Sequence, residues 1–527
     1  MKSRIAIYLL LLILVAWGVW QPGKSVLVGE EIHVSPDGCD YWLGDNQSRA
    51  VRTLQHAVDI AQPGDTILVW PGIYRESVRI RRGGAGEARV VIRAVVPGEA
   101  VVSNLARPET VAALEWIGTN RFYSCTPPWP VYLVRLDGAQ LFRVPWGGRE
   151  ALAKYVERAH AEASFHWDGR SLTIGFPSGW EGDVNAALRR IEINSFTQQG
   201  REWGEFKSAN LWIEAGDIDL DGLVFDFGVG AGINVWDGER VSIRNCLFTG
   251  AQVGVQASWR AGSCAGLHLE NCAYHHFPLG RWRGIWLSWK EVYAAYSTQS
   301  LLACSDANLR ARRNLVVDAA DGMKVSPATR GERSSLVEEN VYYFGTDDAI
   351  EADGPGINLL IRSNIVDRFH TGFSLSPLTE GPTQIVDNLV CSGNRVQHDV
   401  ALKFLVPAGQ ENSITNVSIR RNRFFTGLLA YVPNVPMIGG VSFSENYLFY
   451  HWPKEVWQPD GFVSRGANTV ERGGIEATRA AGERERASAV RGLLATGGIG
   501  PNWLEGSDSR SWALGVDRRK REIITGL

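Results

Sequence analysis

An asparagine recurs through the second half of the chain, each time between two short apolar runs. Its copies are Asn245, Asn271, Asn314, Asn340, Asn364, Asn388, Asn422 and Asn446, at spacings of 26, 43, 26, 24, 24, 34 and 24 residues. A repeat of this length built from short strands is typical of a solenoid, in which each repeat stacks on the next. Asparagine tolerates left-handed backbone angles at a sharp corner, and stacked copies can hydrogen-bond to one another. The repeat therefore predicts an all-β chain folded as a parallel β-helix, with one asparagine at the same corner of each coil.

Length, charge and cysteine content limit the alternatives. The chain has 527 residues, but a long solenoid can still be one unit. The net charge is −3 and no Lys/Arg-rich block interrupts the repeats, so we expect no nucleic acid partner. The seven cysteines include no C-x-x-C pair, which argues against zinc. Cys246 and Cys272 each follow a repeated asparagine and are expected to stack, as buried thiols or, in an oxidising compartment, as a disulfide.

The first 25 residues predict export. Lys2 and Arg4 precede an uncharged run from Ile5 to Trp20, which is about 24 Å long as a helix and shorter than a usual membrane span. Such a segment is typical of a signal peptide, and an uncleaved membrane anchor is the alternative. In both cases the positive flank stays inside, and the body of the protein is expected in the periplasm or outside the cell.

The rest of the chain divides into four regions. Residues 26–103 contain the first coils and a helical pattern over residues 53–61, which we expect to cap the open end of the solenoid. Residues 104–208 break the rhythm with two hairpin patterns, "VYLVRLDGAQLF" and "SFHWDGRSLTIGF", and predict an inserted β-rich module. The main coils occupy residues 209–450, and residues 451–527 are a C-terminal cap and tail with one predicted helix.

Three segments near the start of the chain carry a family resemblance. They read "VSPDG", "TLQHAVDIAQPGDTILVWPGIYRE" and "VVIRAVVPGEAVV". They resemble the opening of exported right-handed parallel β-helix proteins of the pectate-lyase-like superfamily, which includes polysaccharide lyases of the chondroitinase B and alginate lyase type and β-helix glycosidases. The resemblance implies a right-handed coil and a polysaccharide partner. It is specific for the fold and not for the chemistry, in which such proteins differ.

A second strand begins about eleven residues after each asparagine, and its copies align. The aligned segments are "AGINVW" (231–236), "VGVQAS" (253–258), "RGIWLS" (283–288), "DGMKVS" (321–326), "DAIEAD" (348–353) and "TGFSLS" (371–376). Because side chains alternate along a strand, the apolar third residue of each of the last five segments is expected to point inward; these are Val255, Ile285, Met323, Ile350 and Phe373. The outward column is then Asn234, Gln256, Trp286, Lys324, Glu351 and Ser374. Lys403 extends it if "ALKF" is the matching strand, and so long a polar strip suits an extended polymer.

Six acidic residues fall on two adjacent coils of this alignment: Asp318, Asp321, Asp347, Asp348, Glu351 and Asp353. Stacked carboxylates repel, so they raise one another's pKa or recruit a cation. A hard cation such as Ca²⁺ prefers carboxylate oxygens, and its predicted ligands are Asp321, Asp347, Asp348 and Glu351. A proton shared between two carboxylates would instead suit glycoside hydrolysis. An ordinary surface ion pair between Lys324 and Glu351 is the alternative that involves no function.

The order "DAADG", "TDDAIE" and "FHTGFSLS" resembles polygalacturonases, which place Asp-containing motifs, an Asp-Asp pair and a His on three consecutive coils. Here "HTG" replaces the Gly-His-Gly of that family. Lyases of the chondroitinase B type combine acidic metal ligands with a Lys and an Arg, for which Lys324 and Arg283 are available. Lys324 beside a cation and Arg283 is expected to have a lowered pKa and to act as a base. The catalytic candidates are Lys324, Asp321, Asp348, Arg283 and His370.

The interval between Asn271 and Asn314 is the longest in the repeat and contains the extra segment "WKEVYAAYSTQSLLACSD". Together with "GRWRGIW" before it, this segment concentrates aromatic residues and arginines. Aromatic rings stack on sugars and arginine pairs with carboxylates, although the same aromatics can simply pack the loop onto its coil. The predicted substrate-binding residues are Arg281, Trp282, Trp286, Trp289, Gln256 and Ser374.

These features predict an exported enzyme that acts on an anionic polysaccharide, by β-elimination at a uronate with Ca²⁺ as the cofactor. In that hypothesis Lys324 removes the C5 proton while the cation neutralises the uronate. A glycoside hydrolase of the polygalacturonase type is one alternative. A non-catalytic glycan-binding or envelope scaffold protein is another. The protein is expected to be a monomer.

Overall fold

The computed structural model describes residues 29–144, 147–158, 163–195, 201–202, 205–206, 209–257, 264–275, 300–391, 399–405, 414–431, 440–451, 462–465, 467–504, 517–518 and 520–521. Most of this chain winds through three parallel sheets, called sheets A, B and C, whose strands are numbered along the chain. Each coil crosses A, then B, then C, and every strand pairs with its counterparts in the neighbouring coils. The parallel β-helix predicted by the repeat is confirmed.

Sheet A has thirteen described strands: β1 Glu31–Val34, β2 Thr66–Val69, β5 Val90–Ala94, β18 Ile218–Asp221, β21 Ser242–Arg244, β24 His268–Glu270, β27 Arg310–Arg312, β30 Ser335–Glu338, β33 Leu359–Arg362, β36 Thr383–Val386, β39 Val417–Arg420, β42 Val441–Ser444 and β44 Phe462–Arg465. Sheet B has twelve: β3 Gly72–Tyr74, β6 Ala100–Ser103, β19 Val224–Asp226, β22 Leu247–Thr249, β25 Ala273–His275, β28 Leu315–Ala319, β31 Val341–Gly345, β34 Ile365–Asp367, β37 Leu389–Cys391, β40 Arg423–Thr426, β43 Tyr447–Tyr450 and β45 Thr469–Arg472. Sheet C has ten: β4 Val78–Ile80, β17 Ala209–Ile213, β20 Ala231–Val235, β23 Val253–Ala257, β26 Ser300–Cys304, β29 Met323–Val325, β32 Asp348–Glu351, β35 Thr371–Ser374, β38 Val400–Lys403 and β41 Leu428–Tyr431.

The asparagine ladder stands at the corner between sheets A and B. From Asn314 to Asn446 each side-chain oxygen accepts hydrogen bonds from the previous coil; Asn364 Oδ1, for example, accepts from the backbone N of Asn340 at 3.1 Å and from its Nδ2 at 3.0 Å. Asn364 Nδ2 in turn donates to Asn388 Oδ1 at 2.9 Å. These amides are buried, and the ladder supplies the hydrogen bonds that buried polar groups require.

The first two copies of the asparagine do not belong to this ladder. In those two coils the predicted alignment is wrong by one residue. Asn245 and Asn271 have φ angles of 53° and 52° and occupy the left-handed corner position themselves. In later coils another residue takes that position, such as Arg313 at φ 54°, and the buried asparagine follows it. Asn314 therefore stacks on Cys272, whose backbone N donates to Asn314 Oδ1 at 2.9 Å. In the later coils, one residue adopts the left-handed corner conformation and the next residue, the buried asparagine, forms the ladder hydrogen bonds.

Cysteines fill the inward position where the ladder has no asparagine. Cys246 and Cys272 are buried, and both are free thiols, as are the other five cysteines. Burial, followed by the neighbouring Cys246 thiol, raises the pKa of Cys272 well above its usual value. The predicted stacking of this pair is confirmed in the form of buried thiols.

Helix α1 (Leu54–Ile60) lies beside the first coil, as the pattern over residues 53–61 predicted. The Thr53 side chain accepts a hydrogen bond from His56 N at its start, and Leu54, Ala57 and Val58 join the core. Gln55 Oε1 accepts from Arg79 N at 2.7 Å, and its Nε2 donates to Arg79 O at 3.1 Å. Because β4 is the first strand of sheet C, these bonds satisfy backbone groups of an edge strand.

The residues between β6 and β17 contain two small, largely antiparallel sheets. Their strands are β7 Ile117–Thr119, β8 Phe122–Cys125, β9 Val134–Leu136, β10 Ala139–Gln140, β11 Phe142–Arg143, β12 Ser164–Trp167, β13 Leu172–Gly175 and β14 Ile191–Ile193, followed by the pair β15 Arg201–Glu202 and β16 Glu205–Phe206. Three helices accompany them: α2 Pro108–Ala112, α3 Gly148–Arg158 and α4 Val184–Leu188. Both predicted hairpins are present, as β9–β10 and β12–β13.

This inserted region has a core of its own and a buried ionic link to the β-helix. The core includes Phe165, Ile174 and Phe176, which are fully buried. Arg135 on β9 pairs with Asp226 on β19 at 2.6 Å and lies over the ring of Phe227. Because a buried charge needs a partner, this pair ties the insertion to sheet B.

The coils continue beyond residue 450, which was the predicted end, to β45. Helix α5 (Ile475–Ala495) follows and confirms the predicted C-terminal helix. It packs along the outer face of sheet B, where Arg486 pairs with Asp367, rather than across the far end of the solenoid. Two 3₁₀ helices, Gln47–Arg49 and Asn502–Leu504, complete the described elements.

Among the described residues, none of the helices combines the length and apolar character needed to cross a membrane. The predicted export segment lies in residues 1–28, outside the described part of the chain.

Candidate functional site

Sheet C positions a column of outward-facing residues, one from each coil. Strand pairing places them in the order Arg79, Trp212, Asn234, Gln256, Ala303, Lys324, Glu351, Ser374 and Lys403. Their inward neighbours Val255, Met323, Ile350 and Phe373 are fully buried, as the alternation predicted. The predicted extension of the column to Lys403 is also confirmed.

One strand of the predicted column was assigned to the wrong segment. Residues 283–288 were expected to follow 253–258 in sheet C, but β26 (Ser300–Cys304) pairs there instead. Ala303 therefore occupies the position predicted for Trp286, Leu302 that of Ile285, and Ser300 that of Arg283. The extra residues thus precede the sheet C strand of this coil rather than follow it. Residues 276–299, which include Arg281, Trp282, Arg283, Trp286 and Trp289, lie outside the described residues.

The acidic residues and two lysines form a cluster where β29 and β32 enter sheet C. The Lys324 ammonium lies 3.1 Å from Asp321 Oδ2 and also contacts Glu351 Oε2. Asp348 is anchored to the preceding coil, since its backbone N donates to Asp321 Oδ1 at 3.3 Å. The cluster therefore begins as a lysine held between carboxylates of two coils.

Lys403 supplies the second positive charge from two coils away. Its ammonium lies 2.7 Å from Asp348 Oδ2 and 3.8 Å from Asp347 Oδ1. Between β32 and β38 lies β35, whose Thr371 and Ser374 are small enough for the long lysine side chain to pass over. The sequence signal for this contact was the strand "ALKF", but Lys403 was not among the catalytic candidates.

Exposure divides the cluster into a buried layer and a surface layer. The side chains of Asp321 and Asp348 are only 4% and 3% exposed. Those of Asp347 and Glu351 are 19% and 21% exposed, and the two lysines are similar. Asp347 and Glu351 can thus touch a ligand, whereas the carboxylates behind them hold the lysines in place.

Burial and crowding of like charges shift the titration of the surface layer. Desolvation, followed by the charges of Asp348 and Asp321, raises the pKa of Asp347 well above its usual value. Burial also raises the pKa of Glu351, although the Lys324 ammonium opposes the rise. Both carboxyls therefore hold a proton more readily than a free carboxyl does, and carboxyls with raised pKa values suit acid–base chemistry.

Lys324 differs from its predicted state. Burial alone would lower its pKa, but the carboxylates of Asp321 and Glu351 outweigh that effect and raise the pKa well above the usual lysine value. The prediction of a lowered pKa is wrong for these contacts. The pKa of Lys403 is raised in the same way, with burial opposed by Asp348 and Asp347.

Three carboxylates of the cluster are placed to hold a cation. One oxygen each of Asp321, Asp348 and Glu351 lies within 4.8 Å of the others. Asp348 Oδ1 is buried and, in the described part of the chain, has no hydrogen-bond partner. Carboxylate oxygens suit Ca²⁺, so the residues present fit the predicted ion, although both lysines contact the same carboxylates. Asp347, the fourth predicted ligand, is not part of this group.

The other predicted site residues take different places. Asp318 lies 3.3 Å from His275 Nε2. Asp353 accepts hydrogen bonds from Ser374 Oγ at 2.9 Å and from Ser376 N at 2.6 Å.

Gln256 and Ser374, which were predicted to bind substrate, are 7% and 0% exposed, so neither presents a free side chain to a ligand. His370 precedes β35 by one residue, and its neighbour Thr371 pairs with Asp348 of the preceding coil. The column is therefore open at the acidic cluster and covered at Asn234, Gln256 and Ala303.

The sequence matches no known family model, and no curated protein is similar enough to count as a relative. Among solved structures, a complex of XylC with xylose is 14% identical, with a TM-score of 0.42, and the match covers 84% of this chain and 70% of that one. A mannuronic acid specific polysaccharide family 6 lyase from human gut microbiota is 11% identical, with a TM-score of 0.45 and coverage of 89% and 95%. Pectate lyase Pel9A is 10% identical, with a TM-score of 0.32 and coverage of 85% and 78%. These similarities assign no activity to this chain.

Proposed function

We propose that the protein is a polysaccharide-cleaving enzyme and that it hydrolyses a glycosidic bond at Asp347 and Glu351. The observation that carries this proposal is the pair of partly exposed carboxyls in unequal contact with lysine. Burial raises the pKa of both. Glu351 contacts the Lys324 ammonium directly, whereas the nearest approach of Lys403 to Asp347 is 3.8 Å. Glu351 therefore ionises first, and Asp347 keeps its proton.

This division gives each residue a role in hydrolysis. Asp347 donates its proton to the oxygen of the leaving sugar. Glu351, as a carboxylate, either attacks the anomeric carbon or removes a proton from the attacking water. Lys324 and Lys403 keep the reacting carboxyls in place and balance their charge, and Asp321 and Asp348 fix the two lysines from behind.

The test is a screen of the purified full-length protein against alginate, polygalacturonate, chondroitin and xylan. New reducing ends and the ultraviolet absorbance of an unsaturated product are both recorded. Reducing ends without that absorbance support hydrolysis. Reducing ends with the absorbance favour elimination, and retained binding without either signal favours a glycan-binding or scaffold protein; both outcomes contradict the proposal.

Elimination on a uronate is the second candidate, and the cation-binding geometry favours it. Asp321, Asp348 and Glu351 would hold Ca²⁺, whose charge would neutralise the uronate carboxylate. Lys324 would have to lose its proton, which its present carboxylate contacts oppose. If elimination operates, removal of calcium with a chelator abolishes product formation and added Ca²⁺ restores it; hydrolysis at Asp347 and Glu351 is expected to survive chelation.

We further propose that the enzyme is exported and meets its polysaccharide outside the cytoplasm, as a monomer. The charged start and apolar run of residues 1–25 support this proposal. Cell fractionation with an antibody to the folded part of the chain tests it, and recovery in the cytoplasm would contradict it. The mass of the recovered protein distinguishes a cleaved signal peptide from a retained anchor. Light scattering measures the oligomeric state.

A further inference from the structure

A pair of tryptophans lies on the same face of the β-helix as the acidic cluster, close to its N-terminal end. Trp212 on β17 belongs to the outward column that contains Lys324 and Glu351. Five strand spacings separate Trp212 from Glu351, or about 24 Å. The pair is therefore aligned with the acidic cluster but too far away to take part in its chemistry.

The two indoles form a small platform, and a charged side chain lies over the ring of Trp212. The ring centroids of Trp212 and Trp236 are 6.3 Å apart with planes inclined by 54°. The Arg79 guanidinium lies 5.2 Å from the Trp212 ring and 3.4 Å from Glu214 Oε1. Apolar faces flanked by hydrogen-bonding groups match a sugar ring, which has C–H faces and a hydroxyl edge.

The hydrophobic core of the coil is filled by other side chains, so the two indoles on its outer face are not needed for core packing. Leu211 and Ile213, on either side of Trp212, point inward and are buried. Trp236 follows the end of β20 and remains 38% exposed, one of few large apolar side chains to do so among the described residues. Exposed apolar area of this kind has a free-energy cost that a bound ligand relieves.

We propose that Trp212 and Trp236 form a second sugar-binding site, distant from the acidic cluster and specific for long polysaccharide chains. This inference rests on the proposed function for the identity of its ligand. Asn234, Gln256 and Ala303 between the two sites are buried, so the chain contacts the platform and the cluster but not the column between them. A pyranose ring in an extended chain advances by about one strand spacing, so about six rings reach from one site to the other.

The test uses native affinity gels that contain soluble alginate, polygalacturonate or xylan, with the full-length protein. Trp236→Ala and the double variant Trp212→Ala/Trp236→Ala are compared with Trp42→Ala. Trp42 has a similar exposure of 41% but lies on the turn after β1. The double variant is expected to bind the retarding polymer about tenfold more weakly, and Trp42→Ala to bind as the native protein does.

The length of the polysaccharide substrate supplies a second readout. Cleavage of the long polymer at limiting concentration should fall in the double variant, whereas cleavage of short oligosaccharides should not change. Unchanged retardation of both platform variants overturns the inference, as does a native protein that none of the three polymers retards. If the variants lose binding but no polymer is cleaved by the native protein, the platform stands and the proposed hydrolysis falls.

Discussion

The asparagine ladder and the acidic cluster are both stacks of buried polar groups on one solenoid, but they are bonded in opposite ways. In the ladder, a neutral amide such as Asn364 gives and receives hydrogen bonds with both neighbouring coils. In the cluster, the carboxylates of Asp321, Asp348 and Glu351 bring like charges together beside Asp347, and two lysines only partly balance them. The ladder stabilises the coil, whereas the cluster stores unfavourable interactions that a reaction can use.

The largest expected difference between the two regions is in catalysis. Asp347→Asn and Glu351→Gln should each lower the rate of reducing-end release by about 10²–10⁴-fold, because each removes one half of an acid–base pair. The temperature of unfolding should change little, since Asn has the shape of the protonated Asp347 side chain and Lys324 keeps Asp321 as its partner in Glu351→Gln. Asp387→Asn, which removes the carboxylate of an exposed pair with Arg421, is the matched control and should leave the rate unchanged. Near-native rates in both cluster variants would refute the assignment.

Charge balance in the cluster has the next largest effect. Lys403→Met should lower the free energy of unfolding by about 3–5 kcal/mol, because it leaves the buried Asp348 carboxylate without its cation. Denaturant unfolding measures the change. Adding Asp348→Asn to this variant should recover much of the loss, and the absence of recovery would contradict the ionic interpretation. Arg421→Met breaks an exposed pair and should cost at most about 1 kcal/mol.

Removing one member of the ladder should lower the stability of the fold without changing catalysis. Asn364→Ala leaves the backbone and side-chain N–H groups of Asn340 without their acceptor and should lower the free energy of unfolding by about 2–3 kcal/mol. The turnover of the molecules that remain folded should be native. Asn185→Ala, at an exposed position of α4, is the control and should have little effect on the free energy of unfolding. A large loss of turnover in Asn364→Ala would mean that the two regions are coupled.

The smallest expected effect is in the pH dependence of stability. The raised pKa of Asp347 means that the folded state binds a proton more tightly than the unfolded state. Its contribution to stability is complete below the unfolded pKa of about 3.9 and is lost as pH rises through the folded pKa. Asp347→Asn should remove this loss, so the variant gains stability relative to the native protein as pH rises toward neutral. A constant difference across that pH range would contradict the raised pKa.

The periodic part of the structure could be predicted from the sequence, because it depends on local rules. Inward residues such as Met323 and Ile350 follow from the alternation of side chains in a strand. The same rules placed Lys324 beside Glu351 and Asp321 beside Asp348, since those coils have regular spacing.

The predictions failed where the spacing changes or where distant segments meet. The sheet C strand of the coil after Asn271 was assigned to residues 283–288 by counting residues from that asparagine. The extra residues in this coil place the strand at β26 instead. Gln256 is only 7% exposed, although the alternation of side chains places it on the outer face of sheet C. The raised pKa of Lys324 requires the distances to both of its carboxylate partners, which no motif specifies.

Infrared spectroscopy of the protonated carboxyl band tests the central claim, that Asp347 holds a proton available for catalysis. Spectra of the native protein and of Asp347→Asn are compared at about pH 6, well above the usual aspartic acid pKa of about 3.9. A carboxylic acid band in the native protein that disappears in the variant is the predicted result. Identical spectra would show that Asp347 is ionised and would contradict its role as the proton donor.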